Sequence, residues 1–138
     1  MKMVPITRDR VDELLRFLPR LGKPGESLDP EWRGLDATPD KDRVLTLPYP
    51  TYPPVVEEFF QLASQPCWSD YGYKPEAADK LVHSDEAIAS ASLGEIKTML
   101  TFCVRGERFC DGHWGAMVNG GRIRAILRRL EQLRESVK

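Results

Sequence analysis

The sequence predicts a mainly α-helical fold of five or six helices with an extended, proline-rich N-terminal region. Three observations carry that reading. All eleven prolines fall between Pro5 and Pro75, so the second half can run as helix while the first alternates short elements with extended connections. Apolar residues recur at i, i+3, i+4 and i+7 in several windows. Of 138 residues, 41% are hydrophobic and 30% charged, which supplies one buried core and sets the expectation of a single domain over 1–138.

Thr7 suits the N-cap of a first helix, where its hydroxyl can accept from an orphaned N–H. Val11, Leu14, Leu15 and Leu18 line one face, and Pro19 ends the helix. Residues 20–42 read as a long surface loop pinned by Trp32, with Leu35 its other main large apolar group. Val44, Leu45 and Leu47 lead into Leu47-Pro48-Tyr49-Pro50, whose prolines impose extended geometry and exclude a paired central strand. Residues 19–53 are thus expected to be loop-rich or extended.

Pro53 and Pro54 suit the first turn of a second helix with Val55, Phe59, Leu62 and Ala63 on one face, closed by Pro66. Residues 67–73 concentrate Trp68, Asp70, Tyr71 and Tyr73. Residues 75–138, free of proline beyond Pro75 itself, are the expected helical core. Pro75 opens a helix containing Ala78, Leu81 and Val82, ending at a solvated His83. Ser92 and Glu95 form a capping box, because hydroxyl and carboxylate can each satisfy the other's backbone N–H. The helix behind it is expected to reach about residue 109, with Ile96, Met99, Leu100, Cys103 and Val104 as its stripe. Asn119-Gly120-Gly121 has flanks of helical period, so it reads as a left-handed helix C-cap rather than a hairpin. Ile123, Ile126, Leu127, Leu130, Leu133 and Val137 give the last helix its apolar side, with Arg124, Arg128 and Arg129 elsewhere.

The net charge is −1, although residues 105–138 carry a local excess of four positive charges. Nucleic acid is not an expected partner: the last helix must turn its apolar face inward, and Glu131 and Glu135 interleave with its basic residues. No apolar run approaches the roughly 20 residues of a membrane span. Charges in the first ten residues, where a signal peptide needs an apolar block, and three sparse cysteines point to a cytoplasmic protein with reduced thiols. Cys103, Cys110 and His113, with Cys67 as a fourth donor, could suggest zinc. Their spacing is not that of a zinc knuckle, and Cys103 falls on the apolar stripe, so no metal is expected. No motif implies a cofactor.

Residues 105–114 are the most unusual stretch, with Arg105, Glu107, Arg108, Asp111 and His113 beside Phe109, Cys110 and Trp114. One reading is structural: Arg108 reaches Asp111, the charges tie the C-terminal helices together, and Phe109 and Trp114 fill the core on either side of a turn at Gly112. Another is a pocket, in which the forks of Arg105 and Arg108 hold phosphate or carboxylate while Trp114 or Tyr71 stacks on a planar group. A hydrolase or transferase acting on a phosphorylated or nucleotide-like molecule would use His113 as base, oriented by Glu107 or Asp111. No serine or threonine stands nearby in a nucleophile context. The Trp68, Asp70, Tyr71 and Tyr73 cluster is either a stacking wall or a core plug, and the plug is favoured because each buried Trp or Tyr removes about 150–250 Å² from water. The leading expectation is a non-catalytic binding domain that joins both segments into one surface for a small anionic ligand or a protein partner.

The segment Arg105-Gly-Glu-Arg-Phe-Cys-Asp-Gly-His113, with Trp68-Ser-Asp-Tyr71 upstream and Gly121-Arg-Ile-Arg-Ala-Ile-Leu-Arg-Arg-Leu130 downstream, resembles an uncharacterised bacterial domain family of unknown function. That family is marked by an Arg-x-Asp/Glu-Arg-Phe-x-Asp/Glu-Gly-His pattern and a Gly-x-Ile-x-x-Ile-Leu-x-Arg-Leu helix. The likeness spans about residues 49–130, and Trp114 stands where the pattern often carries leucine. The resemblance implies a mostly helical fold and no established activity, cofactor or substrate.

Overall fold

The computed structural model describes residues 4–21, 31–33, 49–107 and 112–137. It is mainly helical, as the sequence predicts. Seven α-helices stand among the described residues: α1 (Arg8–Leu15), α2 (Pro54–Ala63), α3 (Pro75–Val82), α4 (Asp85–Ala89), α5 (Leu93–Gly106), α6 (His113–Asn119) and α7 (Arg122–Leu133). Two strands, β1 (Glu31–Arg33) and β2 (Tyr49–Thr51), pair antiparallel.

α5 and α7 form the centre. α5 packs on α2, α3, α6 and α7, while α7 also meets α1, α4 and α6. Their buried stripes are Ile96, Met99, Leu100 and Cys103 on α5 and Ile123, Ile126, Leu127 and Leu130 on α7, the residues expected from helical periodicity. The capping box closes as predicted: Ser92 N–H donates to Glu95 Oε1 at 3.0 Å and Glu95 N–H to Ser92 Oγ at 3.1 Å. Between α6 and α7, Gly121 takes the left-handed conformation at φ +78°, where its N–H donates to the Val118 carbonyl. That geometry costs a residue with a Cβ roughly 1–2 kcal/mol.

Several boundaries differ from expectation. Thr7 caps α1, yet the helix stops at Leu15, three residues before Leu18; turns then bring Phe17 and Leu21 into the core. α2 is rotated, burying Val56, Phe59, Phe60 and Ala63, with Val55 and Leu62 only half-buried. The reason is Phe60, whose ring stacks on Trp114 at 4.5 Å. α4 is an additional helix whose five residues are too few for periodicity to show; its N-cap Ser84 accepts from Ala87 N–H. Residues 20–42 are not wholly loop. Glu31–Arg33 pairs with β2, with Pro50 opposite Trp32, an arrangement a proline tolerates because neither strand is central among the described residues. The side chains of Trp32 and Leu35 lie outside the described residues. α5 ends at Gly106 rather than near residue 109, with Glu107 as its C-cap. α7 ends at Leu133, and Val137 reaches the core after a 3-10 turn, Arg134–Ser136.

The C-terminal end is fastened to α1. Arg134 Nε and Nη2 pair with the two Asp12 oxygens at 2.6 and 3.1 Å, and Arg8 Nε donates to the Val137 carbonyl at 2.7 Å. The Arg134 guanidinium holds the Asp12 carboxyl below its ordinary value of 3.8. No helix among the described residues is long and apolar enough to cross a membrane.

Candidate binding site

α5 delivers two charged residues to one end of the bundle, and their surroundings are opposite. Glu107, the C-cap, is half-buried and its carboxylate is fully engaged. Oε1 accepts from Tyr52 Oη at 2.8 Å and Trp114 N–H at 2.8 Å, and Oε2 accepts from Gly112 N–H at 3.0 Å. This is a remote helix cap. α6 begins behind Gly112, whose φ of +90° suits glycine but which has no side chain to satisfy the orphaned N–H groups of the first turn. Glu107 supplies the missing acceptor and negative charge from five positions upstream. Tyr52 Oη adds a fourth bond, accepting from Gly115 N–H at 3.3 Å. Trp114 completes the clasp: its indole N–H donates to the Val104 carbonyl at 3.0 Å and its ring lies between Phe60 and Tyr52.

Arg105 faces a different environment. It is half-buried, and its Cζ stands 5.3 Å from the centroid of the Tyr73 ring, a cation–π contact. No carboxylate among the described residues pairs with it. Arg105 lines a pocket of about 150 Å³ together with Ala63, Ser64, Ser69, Tyr71, Thr101 and Val104. Tyr71 is 55% exposed, an unusual position for a large aromatic side chain. The floor is rigid. Thr101, only 3% exposed, accepts from Asp70 N–H at 2.8 Å, while Asp70 accepts from Thr98 Oγ1 at 2.7 Å and from Gly72 N–H at 3.1 Å. These bonds fix the turn that carries Tyr71 and Tyr73 beside α5.

His113 opens α6 with its ring edge-on to Phe102 at 5.1 Å and pressed against Gly106, where any Cβ would collide with it. Its Nε2 is buried without a hydrogen-bond partner among the described residues. Burial lowers its pKa from 6.5, against opposing pulls from the Glu107 carboxylate and the Phe102 backbone. A depressed folded-state pKa means that protonation favours unfolding. His113 therefore contributes stability that is complete above pH 6.5 and lost as pH falls through the lower folded value. The urea midpoint should drop between pH 7 and pH 5, with a shallower drop in His113→Asn. An unchanged slope in that variant would contradict the assignment. Asp12 loses its pairing only below 3.8, outside this window.

The two sequence-predicted clusters therefore meet only in part. Arg105, Tyr71 and Tyr73 come together. Trp68 is buried beside Thr101 of α5 and belongs to the core, and Asp70 is bound into the turn. Trp114 is half-buried in the clasp. Arg108, Phe109, Cys110 and Asp111 lie outside the described residues, and the expected Arg108–Asp111 pair with them. Cys103 is fully buried, and burial pushes its thiol up to about 12. Sequence reasoning missed Tyr52, Ser64, Ser69 and Thr101. Thr101 alone left a signal, a polar residue directly beside the apolar stripe.

What these elements define is a mainly helical protein with an arginine at a small polar pocket that no carboxylate among the described residues pairs with, and a neighbouring carboxylate committed to the fold. A family of unknown function, DUF6508, matches residues 6–136, and the chain belongs to it. No curated protein and no solved structure matches the chain.

Proposed function

We propose that this chain is a non-catalytic binding domain, folded as one unit and acting in the cytoplasm, that takes the anionic group of a small ligand or protein partner at Arg105, Tyr71 and Tyr73. The observation that carries this reading is Arg105: a half-buried guanidinium held against Tyr73, bordering a pocket, without a carboxylate partner among the described residues. A fork of five N–H donors in that state is matched to carboxylate or phosphate. A hydrolase or transferase built on His113 has less support, because Glu107 is occupied by Tyr52 and the start of α6, and the His113 ring is wedged against Gly106.

A thermal-shift panel of dicarboxylates, sugar phosphates and nucleotides tests the proposal on wild type and Arg105→Met. An anion present at 100 times its Kd should stabilise the wild type by about 2.7 kcal/mol. Arg105→Met should lose that shift. No response to any anion, or an equal shift in Arg105→Met, would overturn the reading.

A further inference from the structure

We infer that the Arg105 pocket is built for a short hydroxy- or amino-carboxylic acid of about three to five carbons, an inference that rests on the anion-binding reading above. Size comes first. A pocket of about 150 Å³ takes a side-chain-sized group. Charge comes second: Arg105 is the one charged residue among the described lining. A single planar fork matches the two oxygens of a carboxylate. A phosphate dianion, with three oxygens and close to two charges, asks for further donors.

The hydroxyls decide the rest of the ligand. Each has one proton. Ser64 donates its own to the Gln61 carbonyl at 2.7 Å, Ser69 to the Gln65 carbonyl at 3.1 Å, and Thr101 to the Lys97 carbonyl at 2.8 Å. Thr101 Oγ1 also accepts from Asp70 N–H. What Ser64 and Ser69 offer to the pocket is therefore acceptor lone pairs. A ligand that complements them carries a hydroxyl or ammonium donor beside its carboxylate. Ala63 and Val104 give the lining its aliphatic part, to which a short apolar stem is matched, and the exposed Tyr71 borders the pocket.

Titration of the wild-type protein by NMR with glycerate, serine, propionate and inorganic phosphate distinguishes this inference from the reading beneath it. Glycerate or serine should bind about tenfold more tightly than propionate, the worth of a satisfied donor. The advantage should vanish in the Ser64→Ala, Ser69→Ala double variant, and all binding should vanish in Arg105→Met. Propionate binding as tightly as glycerate and serine, or phosphate binding more tightly than either, would overturn the inference while leaving an anion site at Arg105. If none of the four binds, or if Arg105→Met binds unchanged, the inference fails together with the anion site. The comparison of glycerate with propionate needs no variant, so it holds even if the double variant unfolds.

Discussion

Glu107→Ala is expected to destabilise the protein by about 3 kcal/mol, since it strands donors that the fold holds close to one carboxylate. Tyr52 Oη, Gly112 N–H and Trp114 N–H all lose their acceptor. A buried donor left unpaired costs about 1–3 kcal/mol, and the partial exposure of this corner lets water recover some of the sum. The same change removes the negative charge at the start of α6, a further contribution of about 0.3–1 kcal/mol. In a chain of this length, 1 kcal/mol moves the melting temperature by about 3–4 °C. A calorimetric melt lowered by about 10 °C is the expected result; a shift under 2 °C would show that Glu107 does not hold the corner.

Leu100→Ala should cost about 2–5 kcal/mol. Leu100 is fully buried in the stripe of α5, inside a cluster that includes Met99, Cys103, Ile123 and Leu127. A cavity there has little chance to collapse, because α5 is held by four other helices and its start is locked by the capping box. Denaturant unfolding measures the loss, which should appear as a lower midpoint with an unchanged slope. A cost below 1 kcal/mol would mean that α5 is not the packed centre.

Helices whose signals are local were legible. Ser92 and Glu95 sit three residues apart, and the stripes of α5 and α7 repeat within the helix itself, so both helices could be placed without knowing their neighbours. The face of α2 could not, because the choice between Val55 and Val56 is made by Phe60 meeting Trp114, 54 positions away. The β1–β2 pairing was hidden for a related reason: Pro50 argues against a strand locally, and only the partner shows that both strands are edges. At the site, residue types were legible and roles were not. The carboxylate of Glu107 has its side-chain partner at Tyr52, 55 positions away, and its other two partners are backbone N–H groups that no residue name advertises. Arg105 stood out as a charge in an aromatic and apolar context, but its contact with Tyr73 and its place at the pocket are visible only once α5 is set beside the Tyr71–Tyr73 turn.

The division of labour between Glu107 and Arg105 is tested most directly by one urea-unfolding series on wild type, Glu107→Ala and Arg105→Met. Arg105→Met forfeits a cation–π contact worth about 0.5–1 kcal/mol at an accessible site, so its unfolding free energy should stay within about 1 kcal/mol of wild type. Glu107→Ala should fall about 3 kcal/mol lower. Equal losses in the two variants, or a larger loss in Arg105→Met, would make Arg105 a structural residue and contradict a site kept open for an anionic ligand.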